Sequence, residues 1–224
     1  MSTWRREWVL EKCRVALNLA NGAAGGGYAE AAILVSAVLS ALAAELWPGL
    51  SIDGVRFVEL LTTMGPEALT CRSLSVPLLL QHLTAEKSVD AIALQQVFGV
   101  TEKSLVLNGE AVDRTEQEIL KACSNTSVEI LRRFSYASIL YSEIRSSYAH
   151  QYQPGGRADS WPMTSLKNQR VSYVNRLADT GEVHRLVHFH IEWLAALPIG
   201  IAEAIDGLSQ TPARPVKWWA KGRL

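Results

Sequence analysis

Cysteine is scarce in this sequence. Cys13, Cys71 and Cys123 are odd in number, far apart and without a C-x-x-C spacing. Neither a zinc knuckle nor a disulfide framework is expected, and reduced thiols in a cytoplasmic protein are the simpler reading. Net charge is missing too: 22 basic residues face 22 acidic ones. A broad nucleic-acid coat would need a basic surface that releases counterions. Only a local basic cleft stays open, and Arg132, Arg133, Arg145 and Arg157 are the candidate cluster. Long apolar runs are also lacking. The best membrane candidate, Ala29 to Leu46, has an uncharged run between Glu30 and Glu45, shorter than the ~20 residues a bilayer span needs. Its alanine-rich composition suits a core helix, so no membrane is expected as a partner. Arg5, Arg6, Glu7, Glu11 and Lys12 near the N-terminus do not read as a secretory signal.

Several catalytic signatures are absent as well. There is no G-x-S-x-G elbow, no H-E-x-x-H, and no cysteine with a neighbouring histidine. Gly22 to Gly27 precedes a helical segment, but no Lys-Ser or Lys-Thr follows it. An inter-helix turn fits better there than a phosphate cradle. No cofactor is expected.

What is present is helical pattern nearly throughout, in a chain whose residues are 48% hydrophobic and 20% charged. Segments Trp4 to Ala20, about Tyr28 to Trp47, and one beginning near Ser51 or Asp53 carry apolar residues at helical spacing. Weaker signal follows, with shorter helices at Val76 to Leu83 and Ala85 to Phe98 and an extended piece near Ser104 to Leu107. Asp113 to Cys123 resumes helix. Val128, Leu131, Phe134, Ala137, Tyr141 and Ile144 form an apolar, aromatic face of one further helix that ends at Arg145. Leu166 to Leu177 and Glu182 to Leu208 read as two more helices, the latter kinked at Pro198. The expected class is all-α: an antiparallel helical bundle with additional helices. Residues 1–210 are expected to form one domain with a helical elaboration at about 66–110. Residues 211–224 form a basic, aromatic tail read as a docking strap or a frayed end; Trp218-Trp219 could also stack on bases, though packing against the chain's own bundle or a partner is the commoner use.

The chemistry gathers at Arg145-Ser146-Ser147-Tyr148-Ala149-His150-Gln151-Tyr152, just before Pro154-Gly155-Gly156. A guanidinium holds a phosphate through two hydrogen bonds, and an imidazole moves protons near neutral pH. Residues five apart on an unbroken helix lie about 140° from each other. Either the helix distorts around the motif, or Arg145 and His150 act from two sides of a cleft between chains. The bland alternative pairs Arg145 with an acid such as Glu143 and leaves His150 at a helix end.

This R-x4-H-x-Y stretch resembles the signature of the HEPN superfamily, whose nuclease members carry R-x4-6-H. The form with H-x-Y is similar to the toxin of HEPN–nucleotidyltransferase toxin–antitoxin pairs, over about Thr126 to Tyr152. The resemblance implies a homodimer, with RNA as substrate and metal-independent cleavage. His150 would transfer the proton, Arg145 would hold the scissile phosphate, and the product would carry a 2′,3′-cyclic phosphate. Ser146 stands where many active members carry Asn or Asp. Tyr152 would be the acceptor of nucleotidyl groups from a nucleotidyltransferase antitoxin. Stress response or phage defence is the implied process. A non-catalytic helical module that binds RNA, nucleotide or protein is the alternative. Separately, His184 and His188 stand four apart and would offer two imidazoles to a metal from one helical face, with Glu182 or Glu192 completing the site.

Overall fold

Helices carry most of the fold, and a small antiparallel sheet closes one side of it. The computed structural model describes residues 3–99, 106–160, 169–177 and 183–221. Helix α1 (Thr3–Ala20) leads through a 3-10 turn (Ala23–Gly25) into α2 (Tyr28–Leu46). Then come α3 (Asp53–Thr63), α4 (Ala68–Cys71), α5 (Val76–Ala85) and α6 (Val89–Phe98). Strand β1 (Val106–Asn108) runs into α7 (Gly109–Val112), and α8 (Glu116–Ala122) and α9 (Val128–Arg132) follow.

Helix α2 is the centre of the packing, in contact with α1, α3 and, later in the chain, α12 (Ile191–Asp206). Ala31, Ala32, Val35, Val38, Leu39 and Leu42 are all buried on it. Alanines let neighbouring backbones approach, so the helix is covered on several sides, and half of its apolar window lies inside the protein. By length and composition alone it is also long and apolar enough to cross a membrane.

The first departure from the expected helices is the sheet, in order β1-β2-β3. The described part of Leu166 to Leu177 is strand β2 (Val171–Leu177), and the start of the segment expected as helix from Glu182 is β3 (Val183–Phe189). Val171 pairs with Phe189, Tyr173 with Val187, and Leu177 with Val183. Valine, tyrosine and phenylalanine favour such a pleated surface. Val171, Ser172 and Tyr173 are consecutive and all buried, as are the last five residues of β3. With both faces covered, the alternation that marks a half-exposed strand disappears, and an apolar run there reads equally well as helix. The all-α expectation therefore holds only coarsely: the chain is mostly helical, with a sheet. Of these two segments, residues 166–168 and Glu182 lie outside the described residues, and the helix expected in the second is α12.

The second departure breaks the helix expected to run through Arg133 to Ser135. Backbone pairing with 73–75 interrupts it: Ser75 N–H donates to the Phe134 carbonyl (2.8 Å) and Tyr136 N–H to that of Ser73 (3.0 Å). Ser135 then caps α10 (Tyr136–Ile139) by accepting from Ser138 N–H. A π-turn, Leu140–Ser146, and α11 (Ser147–Gln151) continue the same rod to the motif's end. The elaboration contains α5 and α6 as expected, and β1 within it pairs with β2.

The tail is a strap on its own chain. Trp218 packs edge-on against Trp47 (5.8 Å), and the Arg132 guanidinium lies 4.7 Å over the Trp219 ring. Both tryptophans are buried, so neither is a platform for bases.

Candidate functional site

The rod carrying the motif runs antiparallel to α2. Arg145 Nε reaches Ser40 Oγ at 3.4 Å, while the Tyr152 hydroxyl, seven residues on, donates to Glu30 Oε1. Ser40 and Glu30 are ten residues apart on α2, about 15 Å along its axis. Tyr148, between the two anchors, turns inward and packs against Tyr28 at the start of α2 (6.4 Å). Burial pushes its phenol up to about 12.

Leu140, Glu143, Ile144 and Tyr148 face the interior and orient the rest. Arg145 is held above the α2–α3 seam, with 23% of its side chain exposed and an Asp53 carboxylate oxygen 3.9 Å from the guanidinium. Its charge also lies over the Tyr141 ring at 5.6 Å. Glu143, offered as its partner by sequence, instead takes Arg157 (2.6 and 2.9 Å). The π-turn is where the rod changes phase, and there the Ser147 hydroxyl donates to the Ser142 carbonyl five residues back (3.0 Å). Such turns recur at functional sites.

His150 is exposed in the last turn of α11, and its ring makes no hydrogen bond or ion pair among the described residues. Ser146 is half-buried. Tyr152 ends the helix in the left-handed conformation (φ 56°). The phenol is raised by the hydrogen bond to Glu30, and Glu30 is lowered by the same bond. The chain then folds back, Gly155 N–H donating to the Glu143 carbonyl (2.8 Å). Within one chain, Arg145 and Tyr152 both engage α2, His150 sits between them, and no contact joins Arg145 to His150.

Other expectations change. The four arginines do not pool: Arg132 pairs with Glu116, Arg133 with Glu129, Arg145 with Asp53 and Arg157 with Glu143. Glu30 Oε2 accepts from Gly27 N–H (2.7 Å), so a carboxylate already occupies the α2 N-terminus that a phosphate cradle would need. His184 and His188 are on a strand, where four residues span about 13 Å, too far to chelate one ion. His188 is buried against Tyr28 and His190, and burial pushes its ring down to about 4. Glu182 lies outside the described residues. Among the described residues no group of three or more His, Cys, Asp or Glu is placed to hold a metal.

Nothing in the sequence pointed to Asp113. Its Oδ2 accepts from the Tyr136 and Tyr173 hydroxyls and its Oδ1 from Val76 N–H. Although the residue as a whole is half-buried, its carboxyl is enclosed, and desolvation raises it to about 7 against those hydrogen bonds. Four separate segments meet there, so no local spacing announces it. The cluster ties α5, α10 and β2 together around Gly109, whose added β-carbon would lie 2.8 Å from the Tyr136 hydroxyl. No family model matches the chain, and no curated protein or solved structure matches it either.

Proposed function

We propose that this chain is a metal-independent endoribonuclease of the HEPN type, an antiparallel helical bundle in origin, acting as a homodimer on RNA. The observation that carries the reading is an unpartnered, exposed imidazole, His150, on the same rod as a guanidinium already aligned along α2. An exposed imidazole with no competing partner is chemically suited to accept a proton and return it. His150 takes the proton from the ribose 2′-OH, the 2′-oxygen attacks phosphorus, and the P–O5′ bond breaks. The 5′-oxygen leaves as a hydroxyl, and the other product ends in a 2′,3′-cyclic phosphate. Arg145 stabilises the added negative charge on the phosphorane. Because Arg145 and His150 do not touch within one chain, the partner's copy of the motif completes the groove. DNA lacks the internal nucleophile and is spared. Ser146 supports the phosphate through its hydroxyl. Tyr152 is the acceptor for a nucleotidyltransferase antitoxin, and toxin–antitoxin control, stress response or phage defence in the cytoplasm is the setting.

The test is incubation of the purified protein with total RNA in EDTA, beside His150→Ala and Arg145→Ala. Cleavage by wild type that both variants lose, with cyclic phosphate ends, is the expected result. Activity surviving either substitution refutes the role of the residue replaced.

A second reading draws on Arg145 itself. Its contacts with Ser40, Asp53 and Tyr141 also suit a structural cation in a non-catalytic module that binds RNA, nucleotide or protein. Absence of cleavage by wild type, with binding retained, selects it.

A further inference from the structure

The loop after the motif and the β2–β3 hairpin enclose a cleft of about 730 Å³. Pockets of roughly 300–1,000 Å³ hold ligands of nucleotide size. Its apolar lining includes Val174 and Leu186, Cα partners across the two strands, with Pro154 and Ala158 from the loop. Gln151 and Gln153, flanking Tyr152, line one side. Both are exposed, and neither carboxamide is hydrogen-bonded among the described residues. Asp159 and Arg176 complete the polar rim. One Asp159 oxygen accepts from Ser160 N–H (2.9 Å), and no ion pair engages Arg176 among the described residues.

A nucleobase asks for this combination: an apolar platform for its face, and donors and acceptors for its edge. Carboxamides supply both kinds of group, a carboxylate only accepts, and a guanidinium meets phosphate. Gln151 directly follows His150, so a base in the cleft belongs to a nucleotide next to the bond being cut. We propose that the cleft is a base-binding subsite that takes an amino-bearing base in preference to uracil. The base lies on Val174 and Leu186, its amino group donates to Asp159, Gln153 reads the neighbouring edge, and Arg176 holds the adjoining phosphate. Uracil has no amino group, and its one edge donor, N3–H, is flanked by two carbonyl oxygens that repel a carboxylate, so Asp159 disfavours it. This subsite rests on the ribonuclease reading for its RNA, and its affinity is measurable without cleavage.

The experiment is fluorescence anisotropy with 2′-O-methyl octamers of adenine, cytosine or uracil, which bind but lack the nucleophile. Wild type binds the adenine and cytosine octamers about tenfold more tightly than the uracil octamer. Asp159→Asn, which keeps the contact to Ser160, brings that ratio toward one, and Gln153→Ala, at an exposed site, lowers it too. Arg176→Ala weakens all three alike and flattens the salt dependence. Equal affinities for the three octamers in wild type, or a ratio untouched by both Asp159→Asn and Gln153→Ala, overturns the subsite. Unmodified RNA is run in parallel with His150→Ala. Cleavage lost in that variant without any base preference removes the subsite alone. A base preference without wild-type cleavage removes the nuclease and keeps the subsite.

Discussion

A β-carbon added to Gly155 would collide with the Glu143 carboxylate, lying 2.9 Å from its Cδ and 3.0 Å from the Glu143 Cα. The glycine after Pro154 therefore does more than stop a helix: it lets the loop press onto the π-turn that carries Arg145. Glu143 is buried, accepts from Arg157 N–H and its guanidinium, and receives Gly155 N–H on its carbonyl.

Gly155→Ala is expected to lower stability by about 1–3 kcal/mol, the usual range for forcing extra carbon into a packed site. Gly156→Ala is the control, since nothing lies within 4 Å of its added carbon. Urea unfolding of the two variants makes the comparison, and equal midpoints would show that the loop yields freely.

Asp113 on one side and two buried histidines on the other give stability opposite slopes with pH. Asp113, raised to about 7, holds its proton in the native state where the unfolded chain has released it, so its contribution falls as pH rises from about 4 to 7. His188, lowered to about 4, and His190, also lowered by burial, act in reverse. The unfolded chain binds their protons first, so stability rises from about pH 4 to 6.5. Over about pH 4.5 to 6.5 the Asp113 effect opposes that of the two histidines in wild type. Relative to wild type, the slope of stability with pH should become more positive in Asp113→Asn and less positive in His188→Gln, each by on the order of 1 kcal/mol per unit. Denaturant midpoints across that range measure it; parallel curves for the three proteins would contradict the assignment.

The strap gives a stability test away from the motif. Trp219 is buried, its N–H donates to Glu59 (2.6 Å), and Arg132 stacks on its ring and donates to its carbonyl (2.9 Å). Trp219→Ala should cost about 3 kcal/mol and leave the Arg132 charge half-uncovered. Arg133→Ala, an exposed neighbour with a long 3.9 Å pair, should change stability by under ~0.5 kcal/mol. Thermal melts of both variants make the measurement, and equal losses would show that the strap contributes little.

All three thiols are buried and free. Desolvation pushes Cys13 and Cys123 up to about 11 and Cys71 higher still. Since the thiolate is the nucleophile, Ellman's reagent at about pH 8 should find no fast-reacting thiol in the folded protein and all three after guanidinium unfolding. A fast-reacting equivalent in the native state would identify a thiol that the packing exposes.

Tyr152→Phe separates a contact from the fold. The bond to Glu30 is at the surface, and Tyr152 itself is in the left-handed conformation. Its loss should move stability by less than ~0.5 kcal/mol, while abolishing any nucleotidyl transfer to this chain by a partner enzyme. Intact-mass analysis after incubation with such an enzyme and ATP reads the second effect.

Helices with strong local signals were legible in the chain. Ala-rich α2, α8, and α5 with α6 appear close to where apolar spacing and the flanking breakers put them. The motif could be located, as could the breaker behind it. Strand β1 (Val106–Asn108) overlaps the extended piece expected near Ser104 to Leu107, of which 104–105 lie outside the described residues. Strands β2 and β3 were not legible: their paired ends are buried on both faces, and the partner lies well along the chain, Val171 against Phe189. Nor could spacing reveal that residues 73–75 interrupt the helix before Tyr136, because the hydrogen bonds that break it come from a segment far upstream.

Short-range chemistry sets the mostly helical character of the chain and strings Arg145, His150 and Tyr152 along one rod. Those outcomes depend on propensity, capping and spacing, which act within a few residues. Which charges are free was settled by long-range packing instead. It assigned Arg157 to Glu143 and Arg145 to Asp53, buried His188, left His150 in solvent, and enclosed Asp113 between two tyrosines. Burial and partner choice follow from which distant segments meet, and no window of the chain contains that information.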